Sequence, residues 1–132
     1  MPHLILDYSA NLERRIDVSR LVTAVHEAAL ATGVFPKGGV RTRAHRHDVY
    51  RVADGDPENA YIHVVARIRE GRDVETRRRA GEKIFHALCS ELDVVYRSSP
   101  LAISFEIQEI HENVSFRKNN LHDRLMAKAE DR

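Results

Sequence analysis

The sequence predicts an α+β domain in which two strand–helix–strand units build one four-stranded mixed sheet with two helices on one face. Three observations carry this. A short apolar run, HLILDY at residues 3–8, precedes a stretch with apolar residues at helical spacing. A second run, YIHVVARI at residues 61–68, precedes a longer helical stripe. The segment LAISFEIQEI at 101–110 then alternates, with Leu101, Ile103, Phe105 and Ile107 on one side and Ala102, Ser104, Glu106 and Gln108 on the other.

The elements follow in order. After the first strand, Asp17 or Ser19 is placed to cap a helix whose stripe is Leu21, Val22, Val25, Ala28 and Ala29. Gly33 ends that helix, Pro36 prevents its restart, and Gly38 and Gly39 belong to a loop. Residues 40–52 read as extended, and ADGDPEN at 53–59 as a turn. Gly71 closes the third strand and Asp73 caps the second helix. The stripe of that helix is Ala80, Ile84, Leu88, Leu92 and Val95, with Phe85 and Cys89 beside it, and Ser98-Ser99-Pro100 stops it. Residues 111–132 form a polar tail with a helical turn or two around 120–128. The chain is thus read as one domain over 1–132, with pseudo-repeats near 2–52 and 60–110. Apolar side chains fall on both candidate sides of the sheet, so the face without helices calls for a cover, and a homo-oligomer is the simplest one.

Composition narrows the function. Lysine plus arginine number 21 and aspartate plus glutamate 20, a formal net charge of +1 that argues against nucleic acid as a partner. Cys89 is the single cysteine, which excludes an intrachain disulfide and suits a reducing compartment. No apolar run nears the roughly 20 residues that span a bilayer. No basic segment precedes the first apolar run, so the expectation is a cytoplasmic protein with no membrane partner.

Two features carry chemistry. Pro2 follows Met1 directly, a favourable context for removal of the initiator, and removal leaves a secondary amine tethered to the first strand. An α-amino group titrates at about 7.7–8.0, and burial or neighbouring cations bring it down toward the range of a general base. In VRTRAHRH, Arg41, Arg43, His45 and His47 share one face of a strand, and Thr42, Ala44 and Arg46 the other. Such a row suits an anionic ligand, since the guanidinium fork matches a carboxylate. It equally suits ion pairs with acids of the same or a neighbouring subunit. His45 and His47 are half of a metal site at most, and no third ligand stands at a recognisable spacing. Arg72 lies where the third strand opens onto the second helix, a frequent binding position, though a solvated loop arginine also fits. Arg77-Arg78-Arg79 reads as a solvated helix face, and Asn119-Asn120 as a cap.

The motifs Met1-Pro2-His3-Leu4-Ile5, Tyr8-Ser9-x-Asn11-Leu12, Ala31-Thr32-Gly33-Val34-Phe35-Pro36, Gly39-Val40-Arg41-x-Arg43, Ala53-Asp54-Gly55, Gly71-Arg72, Ser104-Phe105-Glu106-Ile107 and Phe116-x-x-Asn119-Asn120 occur in this order along nearly the whole chain. Together they resemble the 5-carboxymethyl-2-hydroxymuconate isomerase branch of the tautomerase superfamily. The resemblance implies a tautomerase-like fold assembled as a homotrimer. It implies an isomerase that ketonises a dienol di- or tricarboxylate without metal or organic cofactor, in the catabolism of 4-hydroxyphenylacetate through homoprotocatechuate. By motif match Pro2 is then catalytic, Arg41 and Arg72 bind substrate, and Arg43 joins them. His47 and the long charged C-terminus depart from the family pattern. The contrasting reading is a non-enzymatic oligomeric module that holds an anionic metabolite or an acidic partner on the arginine strand. A third reading keeps the scaffold but assigns it hydratase or dehalogenase-like chemistry.

Overall fold

The structure, a computed structural model, describes residues 1–130. Strand β1 (His3–Ser9) buries Leu4, Leu6 and Tyr8 and turns His3, Ile5 and Asp7 the other way. A 3₁₀ turn at Ala10–Arg14 leads to helix α1 (Val18–Ala31). Between the two candidate caps the structure takes Asp17, whose Oδ1 accepts from the Arg20 backbone N–H at 3.1 Å. Leu21, Val25 and Ala29, each four residues after the last, form its buried seam. Gly33 follows at φ +71°, the left-handed turn in which glycine is favoured.

Strand β2 (Arg41–His47) is shorter than the extended stretch 40–52 expected from sequence. Its parallel partner β1 ends at Ser9, which is paired with His47, so residues beyond 47 have no ladder to join. Strand β3 (Ala60–Arg69) runs antiparallel to β1 and is followed by helix α2 (Val74–Glu91). Asp73 caps α2 through the Thr76 backbone N–H at 2.7 Å. The stripe expected of one long helix is all buried, but Leu92 breaks the helix, and Val95 sits on a short helix α3 (Asp93–Ser98). Strand β4 (Leu101–Ile110) pairs with β3 in parallel. The sheet order is β2-β1-β3-β4, with α1 and α2 packed against each other on one face. The tail ends in helix α4 (Leu121–Glu130), longer than the turn or two expected there.

The face without helices is mixed rather than apolar throughout. Register places Leu101, Ile103, Phe105 and Ile107 on the helix side, opposite buried Ala60, Ile62, Val64 and Ala66. The open face carries half-buried Ile5 and Val65 among His3, Asp7, Arg43, His45, His47, His63 and Glu106. These groups bond across strands. His63 contacts Ser104 Oγ at 2.6 Å and Glu106 Oε2 at 3.0 Å.

Candidate active site

Pro2 enters the fold as a buried residue, although it stands second in the chain. Its carbonyl accepts from the Arg41 backbone N–H at 3.0 Å, which extends the β1/β2 ladder to the chain end. Gly39 forms the adjoining wall. A Cβ at that position would stand 3.6 Å from Pro2 Cδ and 3.7 Å from Met1 Cα, which are ordinary contact distances. The N-terminus is therefore held between the start of the sheet and the loop before β2, and does not fray.

Cations converge on the terminal amine. In this structure that amine belongs to Met1, and its pKa is lowered from 8.0, first by burial and then by the charges of Arg117, Arg72, Arg69 and Arg41. These arginines come from four places in the sequence: the tail, the turn before α2, the end of β3 and the start of β2. Arg72 is held by three contacts. Its Nη1 donates to the Arg69 carbonyl at 3.1 Å and its Nη2 to the Val34 carbonyl at 3.3 Å, while its Cζ lies 5.1 Å above the centre of the Phe35 ring. Arg69 forms an ion pair with Glu112. Among the described residues, Arg41 Nη1 is the one buried side-chain nitrogen or oxygen without a hydrogen-bond partner.

The rest of the row on β2 faces other groups. Arg43 Nη1 lies 3.1 Å from His3 Nδ1, further along the open face. His47 Nε2 is 2.9 Å from Asp7 Oδ1 and His45 Nδ1 is 3.7 Å from the same oxygen. Two of the four basic groups on that face thus share an acid from β1, the partner that the bare row called for. Among the described residues no three His, Cys, Asp or Glu side chains converge as a metal site would require. A surface groove of about 620 Å³ lies between α2 and β4 and is lined by Phe85, Ile103 and Phe105. None of the arginines around the amine reaches it.

The residues of this amine-and-arginine site match a known family over most of the chain. The sequence matches the family "5-carboxymethyl-2-hydroxymuconate isomerase" over residues 2–125. It is 38% identical over 122 residues to the 5-carboxymethyl-2-hydroxymuconate Delta-isomerase of Escherichia coli, covering 92% of this chain and 97% of that protein. The chain belongs to the 5-carboxymethyl-2-hydroxymuconate isomerase family. It is an isomerase of the tautomerase superfamily. The crystal structure of a 5-carboxymethyl-2-hydroxymuconate isomerase from Deinococcus radiodurans R1 superposes with a TM-score of 0.87 at 33% identity, covering 94% of this chain and 93% of that one. The fold is shared more widely. A fused 4-OT solved as a symmetric trimer gives a TM-score of 0.61 at 14% identity, over 88% of this chain and 93% of that one.

Within this isomerase fold the charges of Arg41 and Arg72 bear on the amine of Met1, next to Pro2, together with those of Arg69 and Arg117. Arg69 had a faint signal, since it continues the alternation of Arg67 on β3. Arg117 had none, because nothing local ties residue 117 to residue 2.

Proposed function

We propose that the chain ketonises a dienol polycarboxylate of the 5-carboxymethyl-2-hydroxymuconate type, with the amine of Pro2, freed by loss of Met1, as the proton carrier. The observation that carries this reading is Arg41 Nη1, buried and unbonded, on a guanidinium whose charge helps lower the pKa of the amine at the chain end, now that of Met1. A buried donor without a partner costs about 1–3 kcal/mol, and a substrate carboxylate removes that cost. Family membership supplies the substrate class.

The reaction needs little machinery. The neutral proline nitrogen takes the proton of the enol hydroxyl as the oxygen becomes a carbonyl. Electrons shift along the conjugated chain, and the resulting ammonium returns a proton to the far carbon. The proton count is unchanged and the nitrogen ends neutral. Arg41 and Arg72 hold the carboxylates, so that the enol oxygen faces the nitrogen and charge developing on it is offset. Arg43 serves this reading as an outer cation that steers the anion inward. Removal of Met1 clears the space in front of Pro2 that Met1 now fills beside Gly39.

This reading puts the enzyme in the cytoplasm, in the breakdown of homoprotocatechuate formed from 4-hydroxyphenylacetate. It also takes the assembly to be a homotrimer. A trimeric neighbour of the same fold and an open sheet face rich in cross-strand polar pairs support that assembly. The test is direct. Intact mass is expected to show loss of Met1, and the processed protein to discharge the dienol's ultraviolet absorbance. Pro2→Ala is expected to lower kcat/KM about 10²–10⁴-fold with an unchanged circular dichroism spectrum. Full activity in Pro2→Ala, or in protein that keeps Met1, would sink the amine mechanism.

A further inference from the structure

Four arginines bear on the terminal amine, and they differ in what already holds them. Arg69 is paired with Glu112 and so is locally neutralised. Arg72 is fixed by two carbonyls and an aromatic ring, none of which carries a charge, so its cation stays available. Arg41 keeps a buried, unbonded Nη1. Arg117 is exposed and, among the described residues, makes no hydrogen bond or ion pair. Three guanidinium groups with no acidic partner among the described residues therefore bear on one amine.

Arg117 is brought there by a built contact. The segment before α4 is pinned to the loop that walls Pro2. Asn119 Nδ2 donates to the Gly38 carbonyl at 2.8 Å, and Asn119 Oδ1 accepts from the Leu121 backbone N–H at 2.8 Å. The ring of His122 lies directly on Gly38. Gly39, the next residue, adjoins Pro2. Two residues of extended chain span at most about 7 Å, so the backbone of Arg117 starts within that reach of the anchor. The side chain of Asn119 is spent on this anchorage, and no acid along residues 115–120 is present to neutralise Arg117.

We propose that Arg117 is the third carboxylate-binding group of the site, and that it makes the site select tricarboxylates over dicarboxylates. This rests on the isomerase reading above. A muconate skeleton carries two carboxylates and a carboxymethyl substituent adds a third, matching in number the three guanidinium groups of Arg41, Arg72 and Arg117 that have no acid partner among the described residues.

The experiment uses non-reacting probes, so that it stands apart from turnover. Processed protein is titrated calorimetrically with tricarballylate and with glutarate. Wild type is expected to bind tricarballylate more tightly. Arg117→Gln is expected to weaken tricarballylate about 10- to 100-fold and leave glutarate unchanged, and Arg117→Lys to restore part of the loss. Equal loss for both probes, no loss for either, or no preference in wild type would overturn the proposal. Dienol turnover is measured alongside. A wild type that shows the binding pattern without turnover refutes the isomerase reading alone. Turnover with an unaltered Arg117→Gln binding pattern refutes the role of Arg117 alone.

Discussion

The imidazole of His122 rests on the backbone of Gly38 so closely that a Cβ at Gly38 would stand 2.6 Å from its Nδ1. This contact joins the last helix to the loop behind Pro2, 84 residues earlier in the chain. Gly38→Ala is therefore expected to push α4 off the loop. Trypsin should then cut faster in the tail, at Arg117, Lys118 and Arg124, and KM should rise with kcat nearly unchanged. Adding His122→Ala removes the clash and is expected to restore slow cleavage. A single variant with wild-type proteolysis and KM would show that the contact is incidental.

Arg41 predicts a trade between stability and activity. Its Nη1 is buried without a partner, so Arg41→Met removes an unsatisfied donor from the folded enzyme. Thermal stability is expected to hold or to rise by up to about 1 kcal/mol, while kcat/KM falls about 10- to 100-fold. Thermal melts and steady-state kinetics measure both. Loss of stability with intact kinetics would assign Arg41 a structural role instead.

The pH profile follows from the same cluster. Only the neutral amine accepts the enol proton, so activity falls as pH drops through the amine's pKa. Burial and the arginines lower the pKa of the Met1 amine; the same surroundings act on the Pro2 amine once Met1 is gone, so the acid limb of kcat/KM is expected below the pKa of a free N-terminal proline. Arg117→Gln removes one repelling cation and makes the amine easier to protonate. The limb should then move to higher pH. A limb that stays fixed in that variant would place Arg117 outside electrostatic reach.

Asn11 is expected to matter for stability and not for chemistry. It is buried, receives the Ser9 hydroxyl at 2.7 Å, and donates to the carbonyls of Asn59 at 2.8 Å and Pro57 at 3.1 Å. It ties the turn after β1 to the loop before β3. Asn11→Ala leaves those carbonyls without their donor, at a cost of about 1–3 kcal/mol. Chemical denaturation should report that loss. The folded fraction should keep its kcat, since none of these groups borders Pro2.

Much of this was readable along the chain because it depends on local periodicity. The two seams of α1 and α2, the caps Asp17 and Asp73, the break at Gly33 and the alternation of β4 are each set by residues within a few positions of one another. Pro2, Arg41 and Arg72 could be singled out as candidates from the chain, because an N-terminal proline and cations at strand ends are visible locally. The end of β2 was less so. Its length depends on where β1 stops, since a strand continues only while its partner does.

The sequence by itself determined which residue types were available: an N-terminal proline, a row of arginines and histidines, and the two periodicities that build sheet and helices. The tertiary structure decided which of them meet. Pairing across β1 gave His45 and His47 an acid in Asp7 and turned Arg43 to His3, and only Arg41 of that row was left to face the amine. Packing of α4 on Gly38 brought Arg117 to a site whose other members lie at least 45 residues away in the chain. The physical reason is that charge acts through space. Its effect on one amine depends on distance and burial, and only the folded chain sets these.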